Sequence, residues 1–234
     1  MKQFRPLVFV LLVVLAFGAV VAASASARKT TPGINPSNVL FTSTSGPSSF
    51  GASGLLEGVQ VKCAKDEDTG GFLTSLLATF DVLFLECLLK LLSALFLCTG
   101  STDTVSSSIL ALGTLVLRYR FTGTSTNTVA AFLIAPVKFT CVSGGTQKAV
   151  EVKGCAAGEI TPVNKAVVTG EHFTMFMTKA ATDRNEITKI ATETGSAEEA
   201  CQLLANENGG TFKEAAEATT DEIVGNVASA KIEA

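Results

Sequence analysis

Few residues in this chain have the type and spacing needed for catalysis. His172 is the only histidine, and it precedes "FTMFM", a run with the alternation of a strand. A Ser-His-Asp or Cys-His arrangement would have to use this histidine, and the chain contains no nucleophile elbow. The sequence therefore predicts that His172 lies at the surface or at a strand edge, and it predicts no catalytic residues.

One acidic run has part of the pattern of a cation site. The run "KDEDTGG" places Asp66, Glu67 and Asp68 beside two glycines. In a calcium-binding loop that began at Asp66, the required glycine would be Gly71, but the twelfth residue is Leu77 rather than glutamate. We therefore expect a solvated acidic turn here, and the sequence predicts no metal site and no cofactor.

Acid pairs without a motif leave a hydrolase as an alternative. Glycosidases need only two carboxyl groups about 5–10 Å apart across a cleft. The chain has 21 Asp and Glu residues, and no pattern singles out a pair. Sugar-binding faces use flat aromatic side chains, yet Trp is absent and Tyr119 is the single tyrosine.

The cysteines indicate disulfide bonds. Their number is even, no C-x-x-C pair is present, and a single histidine makes a zinc site a poor fit. Three disulfides are the simplest interpretation. The six residues are Cys63, Cys87, Cys98, Cys141, Cys155 and Cys201.

Geometry restricts how these cysteines pair. A continuous helix would separate the Cα atoms of Cys87 and Cys98 by about 16 Å, whereas a disulfide needs about 7 Å or less. We favour a Cys87–Cys98 bond that closes a turn. A tight hairpin in "SGGTQ" would offset Cys155 from Cys141 by more than about 20 Å. Cys201 is then expected to pair with one of these two, and Cys63 with the remaining cysteine.

The leucine-rich segment at residues 82–98 has three interpretations: a turn or part-helix closed by a disulfide, a buried or docking helix, and a membrane span. Its charged residues, Glu86 and Lys90, are four apart and could pair on a helix face. If the wider apolar segment 72–98 inserts or docks, the protein would be membrane-associated.

The N-terminus has the layout of a secretory signal. A basic start with Lys2 and Arg5 precedes an apolar run and small residues, so we predict a signal peptide at 1–27. Its removal takes two of the 18 Lys and Arg and none of the 21 Asp and Glu, which leaves a net charge of −5. An acidic product without basic clusters is a poor nucleic-acid binder, and no nucleic-acid partner is expected.

Composition divides the remainder of the chain in two. Residues 28–58 are rich in Ser, Thr, Gly and Pro and predict a flexible leader. Residues 59–234 contain short alternating runs separated by polar turns, which predicts a single all-β domain, a β-sandwich or a barrel-like antiparallel body stabilised by disulfides. The tail at 196–224 fits either a helical hairpin, which capping signals favour slightly, or a β-hairpin that turns at Asn208.

Several short motifs carry a resemblance that covers most of residues 59–224. They are "VKC", "CTG", "FTC", "VKGC" with "GEITPVNK", "EHFTMFMTK" and "EEAC" with "NGG". Their order resembles that of a group of uncharacterised secreted actinobacterial proteins, often present as many paralogues. The resemblance implies an all-β body with "NGG" in a β-hairpin, and it implies no known activity. The insert between Cys87 and Cys98 departs from that pattern.

These observations lead to one functional hypothesis and two alternatives. We expect a secreted, non-catalytic protein that is extracellular or on the cell surface, with an unknown ligand and cell-envelope or membrane-surface contact as an expected partner. The alternatives are a membrane-associated surface protein and an extracellular hydrolase.

Overall fold

The structure is a computed structural model. It describes residues 32–234 except 53–54, 56–57, 59, 92, 104, 121–127, 179–183 and 193–196. The predicted signal peptide at 1–27 lies outside the described residues.

The described residues form eighteen β-strands and no α-helix, which confirms the prediction of an all-β antiparallel body. The strands are β1 (Gly33–Asn35), β2 (Leu40–Ser45), β3 (Ser48–Ala52), β4 (Val61–Cys63), β5 (Lys65–Phe72), β6 (Leu77–Leu85), β7 (Leu88–Leu91), β8 (Ala94–Gly100), β9 (Ile109–Tyr119), β10 (Thr128–Ser143), β11 (Thr146–Thr161), β12 (Ala166–Val168), β13 (Phe173–Met177), β14 (Lys189–Ala191), β15 (Glu198–Ala200), β16 (Leu203–Glu207), β17 (Lys213–Gly225) and β18 (Ser229–Glu233).

Thirteen of these strands form one sheet whose pairings return to their starting point. One ring of pairings runs β10–β11–β13–β17–β2–β5–β6–β9 and back to β10. A second ring runs β10–β11–β16–β17–β3–β4–β7–β8 and back to β10. The long strands β10, β11 and β17 belong to both rings, so the sheet has a continuous inner face.

The inner face holds the main core. Side chains alternate between the faces of a strand, so every second residue of β6 and β17 points inward. Phe80 contacts Phe41 and Phe132 there, with ring centroids 5.5 and 5.0 Å apart. All three rings are buried. Phenylalanine side chains from three different strands thus pack together inside the first ring.

A smaller core covers part of the outer face. Val129 and Ala131 of β10 pack there with Ile187 and Ile190 of the segment that includes β14. The Cys155–Cys201 disulfide ties the end of this segment to β11. Because both faces are covered, the first five residues of β10 are all buried rather than alternately buried.

Four cysteines lie in one row across adjacent strands. Lys62 pairs with Leu88, so the adjacent residues Cys63 and Cys87 lie opposite each other. Leu88 pairs with Leu97, so Cys87 also lies opposite Cys98. The row continues from Cys98 to Cys141, its register partner on β10. The bonds are Cys63–Cys87, Cys98–Cys141 and, elsewhere, Cys155–Cys201.

The favoured Cys87–Cys98 pair is therefore wrong, although these two residues are neighbours whose backbones share a 3.0 Å hydrogen bond. If they were bonded, Cys63 and Cys141 would be three strand spacings apart, about 14 Å, and neither could form a disulfide. Pairing along the row in the observed way uses all four sulfur atoms. Cys201 takes Cys155, one of the two partners expected for it.

The leucine-rich segment forms strands β6, β7 and β8, so its helical interpretations are wrong. Leu89, Leu91 and Phe96 are buried, whereas Lys90 points outward and Glu86 lies in the exposed turn between β6 and β7 with a φ of 55°. Leucines occupy both faces of these strands, which conceals the two-residue alternation in the sequence. Among the described residues, no helix has the length and hydropathy of a membrane span.

The predicted leader and the predicted tail both contain β-strands. The flexible leader at 28–58 is wrong in its described part, because β1, β2 and β3 lie there and β2 and β3 pair with β17. The tail forms the β-hairpin alternative, with β16 and β17 joined by a turn at Asn208 and Gly209. Strand partners on both sides of β17 outweigh the local capping signals that favoured helix.

The disulfide row yields a direct prediction. Non-reducing peptide mapping of the folded protein should recover peptides that link Cys63 to Cys87 and Cys98 to Cys141. Cleavage between Cys87 and Cys98, at Lys90, separates these two cysteines into different peptides. A recovered Cys87–Cys98 link would contradict the pairing of Cys63 with Cys87 and of Cys98 with Cys141.

Candidate functional site

The inner face of the sheet contains four carboxyl groups, which we call the acidic cluster: Asp66 and Asp68 of β5, and Glu217 and Asp221 of β17. Their side chains are between 1% and 7% exposed. Strand alternation places them inside, because Asp66 and Asp68 are two residues apart, as are successive members of the series Glu217, Thr219 and Asp221.

Strand β2 lies between the two acidic strands and sets their separation. Ser45 pairs in register with Asp66 on one side and with Asp221 on the other. Ser43, one step along the same face, pairs with Asp68. The short serine side chains leave space between the carboxyl groups, and oxygens of the three aspartates lie within 4.8 Å of one another.

Hydroxyl groups satisfy only part of the cluster. The Ser45 hydroxyl donates a hydrogen bond to Asp66 Oδ2, and the Thr219 hydroxyl donates to Asp221 Oδ1 at 3.0 Å. Asp66 Oδ1, Asp68 Oδ1 and Ser43 Oγ are buried without a hydrogen-bond partner. Buried polar atoms are rarely left unpaired, because each costs about 1–3 kcal/mol.

Burial also changes the acidity of the cluster. Desolvation, with the negative charges of Asp66 and Asp221, raises the pKa of Asp68 to about 9. Desolvation and the charge of Asp221 raise the pKa of Glu217 to about 8. The pKa of Asp221 rises to about 7, again mainly through desolvation. No salt bridge joins these carboxyls to a Lys or Arg among the residues that the structure describes.

Glu217 also borders an internal cavity of about 50 Å³ in the second ring. The rest of its lining is largely apolar and includes Phe50, Phe84 and Phe139. The Glu217 backbone N–H donates to Asn185 Oδ1 at 3.0 Å.

The structure corrects the expectation of a solvated acidic turn. Asp66 and Asp68 lie in a central strand, and only Glu67 between them points outward, where it pairs with Lys65 at 2.6 Å. Gly70 belongs to the same strand rather than to a turn. A Cβ atom there would lie 2.4 Å from the Phe41 ring, so the glycine makes room for that ring.

His172, the histidine considered in the sequence, is not part of the acidic cluster. His172 is exposed just before β13, with its Nε2 atom 3.9 Å from Glu222 Oε1. The sequence did not single out Glu217 and Asp221, because capping signals in the tail slightly favoured a helical hairpin over a β-hairpin. The two-residue spacing of Glu217, Thr219, Asp221 and Ile223 would have placed them on one face of a strand.

In comparisons with known proteins, no family model, no curated protein and no solved structure matches this chain. The class defined by the structure is therefore a physical one: an all-β, disulfide-linked chain with carboxyl groups inside a closed sheet.

The raised pKa values predict an inverted pH dependence of stability. In a chelating buffer, the free energy of unfolding should fall as the pH rises from about 4 to about 9. Above pH 4 the unfolded chain releases protons that folded Asp68 retains, so each further pH unit favours unfolding. Urea titrations between pH 4 and pH 9 measure this trend, and a stability that increases across the window would contradict it.

Asp68→Asn should remove much of this dependence. The amide imitates the protonated acid in shape, so the variant should gain about 2–4 kcal/mol at pH 7 relative to the wild type. Asp81→Asn is the matched control, because Asp81 is exposed on the neighbouring strand β6. Equal effects of the two substitutions would show that burial of Asp68 does not determine the pH dependence.

Proposed function

We propose that this protein is exported and acts outside the cell, free or at the cell surface, without catalysing a reaction. The observation that carries the proposal is the pairing of all six cysteines in three disulfides. Such bonds persist in oxidising compartments and are rare in the cytosol. The signal-peptide pattern at 1–27 and the resemblance to secreted actinobacterial proteins support the same location.

The non-catalytic part of the proposal is supported by the placement of the acids. A glycosidase-type pair must face an open cleft. The acidic cluster is almost fully buried, and its aspartate oxygens lie within 4.8 Å of one another, closer than such a pair requires. A hydrolase therefore has less support than a binding or structural role.

Cell fractionation tests the proposed location. We expect the processed chain in the culture medium or released from the cell surface, with Arg28 as its N-terminal residue. N-terminal sequencing of the recovered protein measures the cut. Recovery of an unprocessed chain with free thiols in the cytosol would contradict the proposal.

A second candidate is contact with a membrane surface, favoured by exposed apolar side chains on the outer face. Exposed Leu97 and Val142 form one outward row with half-buried Leu88 across β7, β8 and β10. Leu95, also exposed, lies two residues from Leu97. We call these four residues the outer leucine face. Lys62 pairs with Leu88 and Lys90 with Leu95, so positive charges border the face. Such an arrangement suits an anionic lipid surface.

A double substitution, Leu95→Ser with Leu97→Ser, tests this candidate. Sedimentation with vesicles of phosphatidylcholine and phosphatidylserine should show about a tenfold lower partition coefficient, because less apolar surface is removed from water. Leu112→Ser is the matched control, since Leu112 and Leu97 are both 46% exposed. Wild-type protein that stays in the supernatant with these vesicles would exclude membrane contact through this face. In a separate experiment, cell membranes are extracted at alkaline pH; recovery of the chain in the pellet would oppose a free extracellular protein.

A further inference from the structure

The three aspartates of the acidic cluster have the separations of ligands around one ion. Calcium binds oxygen atoms at about 2.3–2.6 Å, so two oxygens on opposite sides of the ion are about 4.8 Å apart. The oxygens of Asp66, Asp68 and Asp221 all lie within 4.8 Å of one another. One oxygen from each aspartate therefore lies at a separation that suits the ligands of one cation.

Unpaired oxygens point to something that the protein atoms do not supply. Asp66 Oδ1 and Asp68 Oδ1 lack hydrogen-bond partners. Ser43 supplies an independent observation, because it is not an acid and is 2% exposed. Its hydroxyl has no partner in hydrogen-bonding geometry, although it lies close enough to Asp68 to lower the pKa of that carboxyl. Its register position opposite Asp68 on the inner face directs that hydroxyl toward the cluster. All of these atoms are hard oxygen donors.

The charge of the cluster also requires compensation. The charges that act on Asp68 come from Asp66, Asp221 and Glu217, and all are negative. Buried carboxylates without basic partners must either keep protons or bind a cation. A divalent ion would compensate two of the charges.

We propose that the three aspartates of the acidic cluster, together with the Ser43 hydroxyl, bind one divalent cation of the calcium type inside the sheet. Carboxylates that each offer one or two oxygens fit the six to eight ligands of Ca²⁺. They fit Mg²⁺ less well, because Mg²⁺ requires near-octahedral geometry and usually retains several waters. The site stabilises the meeting point of β2, β5 and β17.

This site differs from the calcium loop considered in the sequence. That loop would run from Asp66 to Leu77 and bend at Gly71, whereas residues 65–72 are an extended strand. The ligands come instead from three strands, and Asp221 lies 155 positions after Asp66 in the chain. The sequence predicted no metal site because this juxtaposition depends on strand register.

Metal content and thermal unfolding of the full protein test the proposal. The disulfide-bonded protein is unfolded in urea and dialysed against a chelator to remove metal. It is then refolded with Ca²⁺ and analysed for bound metal. We expect about one Ca²⁺ per chain. At free Ca²⁺ about 100 times Kd, the unfolding midpoint should rise by about 5–10 °C, with a smaller rise for Mg²⁺. No bound Ca²⁺ and no shift would overturn the proposal, as would a shift with Mg²⁺ alone.

Variants assign the ion to its ligands. Asp221→Asn should weaken Ca²⁺ binding at least tenfold, and Ser43→Ala should weaken it while retaining every carboxylate. Glu222→Gln is the matched control, because Glu222 is the exposed neighbour of Asp221 on β17. Equal binding by all three variants would place the ion on surface carboxylates and overturn the assignment. Metal content of the wild type stays decisive if a variant fails to fold.

Discussion

Exclusion of water from the inner face of the closed sheet is the constraint on which the rest of the structure depends. Each side chain on that face must be apolar, bonded to another residue, or neutralised. Phenylalanines such as Phe80 and Phe132 meet the first condition and the cysteine row meets the second. The acidic cluster meets the third, either by protons held at raised pKa or by a bound cation. The cysteine row and the proposed ion site thus lie on one enclosed surface.

The long strand β17 connects these features. Its first part pairs with β16 and β3 in the second ring, and its second part pairs with β13 and β2 in the first. Glu217 lies in the first part and Asp221 in the second, so one strand carries acids into both rings. Strand β10 also belongs to both rings, because it pairs with β9 in the first ring and with β8 in the second. Its residue Cys141 is the last member of the cysteine row. A change of register in either strand would separate the acids or the sulfur atoms.

The sequence predicted strand content where alternation or turn signals were strong, as in the hairpin of β10 and β11 around Gly144 and Gly145. It failed where local pattern and register disagree. Leucines on both faces of β7 and β8 concealed their alternation, and capping signals in the tail resembled those of helices. The Ser- and Thr-rich β2 resembled a linker, yet those small polar residues are what leave space for the carboxyls. Register between distant strands, which creates the site, has no local signal in one sequence.

The carboxyl groups inside the sheet lie in a water-poor environment, and no salt bridge joins them to a basic side chain in the part of the chain that the structure describes. Carbon-13 NMR titration of the aspartate side chains in disulfide-bonded protein, with a chelator present, measures the protonation of these groups. Because the groups interact, the cluster titrates as a unit with apparent pKa values. We predict that Asp68 remains protonated at pH 7 and that the last apparent pKa of the cluster, assigned to Asp68, is about 9. If every aspartate titrated near its ordinary value of about 4, the enclosed acidic cluster would be contradicted.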